Sequence, residues 1–111
     1  MTDSFSVTAS HVDGNDICVD IEVTDDDGLI VTDFSYGPAA DQCFYEGAEV
    51  ETVLRIQPDS AKALADQLGI YGVRALAARL GLLYQGKIDA LRLIERQCAD
   101  FGIAVDEHHW P

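Results

Sequence analysis

The chain has 111 residues, 48% of them hydrophobic, so it can bury one core, and we predict a single domain over residues 1–111. Seven Lys and Arg against twenty Asp and Glu give a formal net charge of -13, which disfavours direct binding to nucleic acid or to an anionic membrane. The sequence has no apolar run of about 18 residues and no basic stretch followed by an apolar one at its start, so we expect a cytoplasmic protein without a membrane span.

The negative charge is concentrated in the first half of the chain. Residues 1–60 contain fourteen acidic residues and Arg55 as their only base, whereas residues 61–111 contain six acids and six bases. Together with the residue patterns described next, this divides the domain into three parts: a strand-rich acidic half at 1–57, a helical part at 58–102 and a last strand at 103–107.

Alternation of apolar and polar side chains predicts strands at the start of the acidic half. Residues 4–10 alternate apolar side chains with Ser and Thr, which predicts Val7 on the buried face and Thr8 on the solvent face. Residues 17–23 alternate aliphatic side chains with Cys18, Asp20 and Glu22. This second pattern is typical of an antiparallel strand with one buried face.

Three consecutive aspartates, Asp25 to Asp27, are followed by Gly28. A calcium loop in this register would need a bidentate glutamate at position 34, where the chain has Phe34. Because apolar alternation flanks the stretch on both sides, we predict a hairpin turn in which Gly28 supplies the positive φ.

The strand that follows, at 29–36, is apolar on both faces at its start and is predicted to be central. After a break at 37–41, a longer extended segment is interrupted at Gly47, where we predict a bulge or bend. Beyond the glycine, Leu54 and Ile56 are predicted to point inward, whereas Glu51 and Arg55 point outward.

The helical part contains three amphipathic segments. We predict one helix from an N-cap at Asp59 or Ser60 to Gly69, one from Val73 to Gly81, and one over roughly 87–101 capped by Gly102. Strands followed by helices favour an α+β fold: an antiparallel sheet of four to five strands with about three helices packed on one face. The opposite face would then present Ser6, Thr8, Asp20, Glu22, Glu49 and Glu51 to solvent.

Signatures of catalysis and of metal binding are weak. His11, His108 and His109 lack the local ligand pairs of a zinc site, so we expect no metal and no cofactor. Glu49 and Glu51 would lie about 6.7 Å apart on one strand face, but division of acid and base roles needs a dry pocket that the sequence does not indicate. An enzyme is therefore not the favoured interpretation. The three cysteines, Cys18, Cys43 and Cys98, are predicted to be reduced, buried thiols.

The acidic face is the functional signal with the clearest physical basis. Carboxylates on neighbouring strands would lie about 6.7 Å apart lengthwise and about 4.8 Å apart sideways. Duplex DNA carries one phosphate per roughly 3.4 Å along each strand, so a cleft that binds phosphates could accept such a surface. The predicted partner-binding residues are Asp20, Glu22, Asp25, Asp26, Asp27, Asp33, Glu49 and Glu51.

In size and charge the chain resembles anti-CRISPR proteins and the immunity proteins that neutralise nuclease toxins. The likeness is one of type, and no family motif carries it. It implies a non-enzymatic inhibitor that occupies the nucleic-acid groove of a basic partner such as a nuclease or a CRISPR effector. The alternatives are an acidic domain with another protein-binding or structural role and, less favoured, a small enzyme that uses Glu49 or Glu51. An exposed edge strand could also pair two copies into a homodimer.

Overall fold

The computed structural model describes residues 3–12, 15–36 and 49–110. Within these ranges the elements are β1 (Asp3–Val12), β2 (Asn15–Val23), β3 (Leu29–Tyr36), β4 (Glu49–Ile56), α1 (Pro58–Leu68), α2 (Val73–Leu83), α3 (Ala90–Asp100) and β5 (Asp106–Trp110). The five strands form one sheet in the order β1-β2-β3-β4-β5, and every neighbouring pair is antiparallel. The helices pack against this sheet, which confirms the predicted α+β fold.

The core lies between the helices and one face of the sheet. Ile21, Val31 and Leu54 occupy one cross-strand row and are completely buried. They belong to the same apolar cluster as Leu64 of α1 and Leu80 of α2. Burial of each such side chain stabilises the fold by roughly 1.5–3 kcal/mol. One face of the sheet is therefore held by the helices through this core. The other face carries the side chains of opposite parity.

The edge strand β1 departs from strict alternation. Its register with β2 shifts between Ser6 and Thr8, so Val7 and Thr8 are both buried and Ala9 is exposed. The Thr8 hydroxyl donates to the carbonyl of Lys87 at 2.6 Å. The prediction that Thr8 faces solvent is therefore wrong, because the bulge reverses the side-chain parity at Thr8 and Ala9.

The turn at residues 24–28 joins β2 to β3 as a hairpin, as predicted. The Asp27 amide donates to the Thr24 carbonyl at 3.1 Å, and the Gly28 amide donates to the Thr24 hydroxyl at 2.9 Å. The positive φ, 67°, belongs to Asp27, so the assignment of this conformation to Gly28 is wrong. Glycine is favoured at position 28 for a different reason: a Cβ there would lie 2.9 Å from the carbonyl oxygen of Ile56.

The helix boundaries agree with the prediction except in detail. α1 begins at Pro58 with Gln57 as its N-cap, so the predicted N-cap at Asp59 or Ser60 is wrong, because the fixed φ of proline suits the first position of a helix. Gly69 caps the end of α1 in the left-handed conformation. α3 begins at Ala90 rather than near residue 87, and Gly102 follows it with a φ of 69°. Gly81 lies inside α2 instead of ending it, since a helix tolerates one interior glycine at a cost of about 1 kcal/mol. The last strand is Asp106–Trp110 rather than 103–107, because the apolar residues ahead of it pack against the core. None of the helices in the described ranges is long and apolar enough to cross a bilayer.

Candidate protein-binding surface

The sheet face opposite the helices, called the outer face below, is arranged in columns along the strands. On β2 it carries Asp20, which is exposed, and Glu22, which is half-buried. The register places Asp20 beside Thr32 of β3 and Glu22 beside Ile30. β2 is hydrogen-bonded to a strand on each side, so its two carboxylates project from a rigid backbone. They stand about 6.7 Å apart along the strand.

The central column on β3 separates the acids of β2 from those of β4. Ile30, Thr32 and Phe34 are half-buried, and Phe34 pairs with Glu51. Glu51 is therefore about 10 Å from the β2 column, twice the spacing of adjacent strands. The predicted lattice of carboxylates on neighbouring strands is thus wrong. The outer face has one acidic column, one largely apolar column, and a mixed column on β4 that also contains Arg55.

The turn adds three exposed carboxylates, those of Asp25, Asp26 and Asp27, at the end of the same hairpin. The Thr24 hydroxyl donates to the Asp26 carboxylate and lowers its pKa, so this group is ionised at neutral pH. Residues 15–36 contain seven acidic residues and neither Lys nor Arg. We call this segment the acidic hairpin.

Asp33 does not belong to the outer surface. It lies between Val19 and Thr52 in a row that faces the helices. Burial raises the pKa of Asp33, whereas a hydrogen bond from Ser35 and the charge of Arg92 on α3 act in the opposite direction. The inclusion of Asp33 in an outward-facing surface is wrong, because its parity within β3 turns it toward the helical layer.

Some predicted residues lie outside the described part of the structure. The backbone of Glu49 belongs to β4, but its side chain is not among those described, and Gly47 and Cys43 lie in the undescribed segment 37–48. Of the other two cysteines, Cys98 is buried as predicted. Cys18 is exposed, contrary to the prediction, because it alternates with Asp20 and Glu22 on the outer face.

A groove of about 630 Å³ opens beside the turn, between α1 and the loop that joins α1 to α2. Carboxylates line it from two elements: Asp26 and Asp27 from the turn, and Asp59 and Asp66 from α1. Tyr71, in the loop, is 99% exposed. Sequence reasoning missed this groove, although the two glycines that bracket this aromatic residue in "LGIYG" are a usable signal. We call it the Tyr71 groove.

A second polar cluster joins β5 to α3. His109 lies 3.3 Å from the Thr52 hydroxyl and 2.8 Å from the Glu107 carboxylate. Arg92 of α3 pairs with Glu107 and, at 3.1 Å, with Glu95. Hydrolases order a hydroxyl, an imidazole and a carboxylate in the same way, but here the His109 side chain is 56% exposed and Arg92 already engages the carboxylate. We interpret the cluster as a set of polar contacts that holds the last strand to the helical layer.

The residues named for the enzyme and metal alternatives lie apart in the described structure. Glu51 lines neither the Tyr71 groove nor a smaller groove of about 280 Å³ beside β1. Within residues 3–12, 15–36 and 49–110, no group of three or more His, Cys, Asp or Glu side chains is arranged to hold a metal ion. His108 and His109 point to opposite faces of the sheet, since they pair with Val53 and Thr52, respectively.

No protein-family model, characterised protein or solved structure matches this chain. Function is therefore inferred from the chemistry of the surfaces described above.

Proposed function

We propose that this protein is a small, acidic, non-enzymatic binding protein that inhibits a basic nucleic-acid-handling protein by occupying its nucleic-acid groove. The observation that carries the proposal is the acidic hairpin. Asp20, Glu22 and Asp25 to Asp27 lie on one face and the tip of a single hairpin whose sequence contains no Lys or Arg. A protein groove lined with Lys and Arg is the surface that complements it.

Rigidity of the display supports this proposal. The outer-face acids of β2 stand on a strand that is paired on both sides, and the buried Ile21 between them anchors that strand in the core. The backbone that carries these carboxylates is therefore already ordered before a cationic surface binds, so binding restricts only their side-chain rotamers. The spacing of about 6.7 Å is twice the rise of roughly 3.4 Å between successive phosphates of one DNA strand.

The apolar column next to these acids supplies the part of the interface that does not depend on charge. Ile30 and Phe34 are only half-buried on the outer face, directly beside Glu22 and Cys18. Stable interfaces combine an apolar centre with a polar rim, and aromatic residues are enriched at their centres. A partner would therefore bury the β3 column while its cations meet the carboxylates of β2.

Net charge adds long-range steering to these contacts. A charge of -13 on 111 residues attracts a basic surface from a distance. Electrostatic steering raises association rates to as much as about 10⁸–10⁹ M⁻¹s⁻¹ at low salt, and the effect weakens as salt increases.

The experiment compares two double variants that change the net charge equally. Asp20→Lys/Glu22→Lys reverses the acids of the outer face, whereas Asp89→Lys/Asp100→Lys reverses exposed acids of the helical layer. A partner is captured from a lysate with the wild-type protein and purified, and displacement of its own fluorescently labelled nucleic-acid ligand is followed by anisotropy. We expect displacement by the wild type and by the helical-layer variant, and its loss with the outer-face variant.

Two results would overturn the proposal. The captured partner could keep its nucleic acid while it is bound to this protein. Alternatively, both double variants could displace the ligand as well as the wild type does. In either case the acids of the hairpin would not be the inhibitory surface.

A further inference from the structure

We infer that the Tyr71 groove binds an arginine side chain, presented by a segment of the basic partner protein. This inference rests on the proposed function, because it names a part of the partner that the acidic protein recognises. The groove lies between the turn, α1 and the loop after α1, and so it is distinct from the acids and the apolar column of the outer face.

The backbone of the loop after α1 is held against the end of the helix up to Ile70, the residue before Tyr71. Gly69 and Gly72 flank this segment with φ angles of 68° and 97°, which glycine adopts readily. The amides of Gly69 and Ile70 donate to carbonyls in the last turn of α1 at 3.2 and 2.8 Å, and the Ile70 side chain packs against the core. The neighbouring Tyr71 is consequently projected into solvent from an ordered backbone, as is typical of an aromatic anchor in an interface.

The charges around the groove are predominantly negative. Its lining includes four carboxylates and two bases: Asp26, Asp27, Asp59, Asp66, Lys62 and Arg74. Asp59 and Asp66 are two helical turns apart on the same side of α1, at about 10.5 Å. Lys62 lies between them at helix-neighbour spacing to both, so the lysine and these carboxylates partly neutralise one another. Four carboxylates against two bases leave the lining with a formal charge of -2. The groove therefore complements a cation.

The lining of the groove suits a long cationic side chain, and its tyrosine ring and carboxylates favour arginine over lysine. Ala61, Ala65 and Val73 line it with apolar surface on which the methylene stem of a long cationic side chain can lie. A guanidinium is planar, stacks on a tyrosine ring, and donates two parallel hydrogen bonds to a carboxylate. An ammonium is more strongly hydrated and has no planar face for the ring. A volume of about 630 Å³ is within the range of sites that bury small ligands or several side chains.

The test uses the full chain and two short peptides, hexa-arginine and hexa-lysine. Amide shifts of the ¹⁵N-labelled protein are followed during titration with each peptide at physiological salt. We expect saturable shifts around the groove, tighter binding of hexa-arginine than of hexa-lysine, and a roughly tenfold weaker affinity for hexa-arginine in Tyr71→Ala. Tyr71→Phe, which keeps the ring, should bind like the wild type.

Leu82→Ala is the matched control, since Leu82 is 70% exposed but does not line the Tyr71 groove. Its affinity for hexa-arginine should equal that of the wild type. Equal binding of the two peptides with no effect of Tyr71→Ala, or shifts confined to the outer face around Asp20, would overturn the groove as the arginine site. Either result would leave the proposed function standing if Asp20→Lys/Glu22→Lys still abolishes inhibition of the partner. Conversely, unchanged inhibition by that double variant would overturn the proposed function whatever the peptides do.

Discussion

Gly28→Ala tests whether the acidic turn is fixed against the rest of the molecule. Gly28 is buried where the hairpin meets the end of β4 and the start of α1. A Cβ at this position would lie 2.9 Å from the Ile56 carbonyl oxygen, 3.1 Å from the Thr24 hydroxyl and 3.4 Å from Cδ of Pro58. The shortest of these contacts is with backbone, so the added methyl group forces the turn and β4 apart.

The expected loss of stability follows from these contacts. Overpacking of this kind costs typically about 1–3 kcal/mol. Replacing glycine lowers the entropy of the unfolded chain and offsets roughly 0.4–1 kcal/mol of that cost. The net loss is therefore on the order of 1–2 kcal/mol. An unfolding entropy of roughly 2 cal/mol/K per residue over 111 residues converts this loss to a fall in Tm of about 4–9 °C.

Thermal unfolding followed by circular dichroism measures this change, with Gly81→Ala as the matched control. A Cβ at position 81 would approach only Cγ2 of Val7, at 4.0 Å, and the residue lies within α2. This second variant should therefore be more stable than the wild type by roughly 0.5–1 kcal/mol. A Gly28→Ala protein that melts at or above the wild-type temperature would show that the turn is not held against Ile56.

Three further outcomes are expected. Thr8→Val should lower the free energy of unfolding by about 1–3 kcal/mol, because the Lys87 carbonyl loses its buried donor. Denaturant titration measures this loss. An unchanged midpoint would rule out that hydrogen bond. Burial raises the pKa of Asp33, so the stability that its protonated form provides is present below the ordinary pKa of 3.8 and is lost as the pH rises through the folded-state pKa. Asp33→Asn should therefore raise Tm at neutral pH, and a gain that persists undiminished below the ordinary pKa would contradict this reasoning. Burial raises the pKa of Cys98 to about 11, so iodoacetamide at about pH 8 should alkylate Cys18 and spare Cys98 until the protein unfolds. Peptide mass spectrometry measures the labelling of each cysteine. Equal labelling of both in the folded protein would contradict this expectation.

Features of the fold that depend on local pattern could be predicted from the sequence. Alternation at 17–23 gave a strand because each side chain there faces either the core or solvent, and Leu54 and Ile56 are buried as their parity requires. Gly69 and Gly102 follow helices in the left-handed conformation for which glycine carries no Cβ penalty. These are short-range constraints, and one segment of the chain contains all the information that they need.

Features that depend on contacts between distant segments could not be predicted. The bulge near Thr8 is stabilised by a hydrogen bond to Lys87, a residue 79 positions away. The residue pattern of the strand does not indicate the bulge. Asp33 is predicted to face outward and does not, because both faces of β3 carry apolar residues at its start and parity alone does not say which face meets the helices. Asp20 and Glu51 share the parity of the outer face, but the residue pattern does not contain the strand order, which places β3 between them.

The Tyr71 groove also depends on contacts between distant segments, so it could not be predicted from the sequence. Its walls come from a turn near residue 27, from α1 and from the loop that contains Tyr71. Each segment was recognised in the sequence as a turn, a helix or a helix end. Their convergence depends on tertiary packing, including the contact of Gly28 with Ile56 and Pro58.

The salt dependence of partner binding tests the central claim most directly. The dissociation constant of the purified partner is measured by calorimetry for the wild type and for Asp20→Lys/Glu22→Lys between about 50 and 200 mM salt. We predict that the wild-type affinity falls steeply over this range and that the double variant binds more weakly with a smaller slope. An affinity that is independent of salt and equal in both proteins would contradict binding through the acidic hairpin.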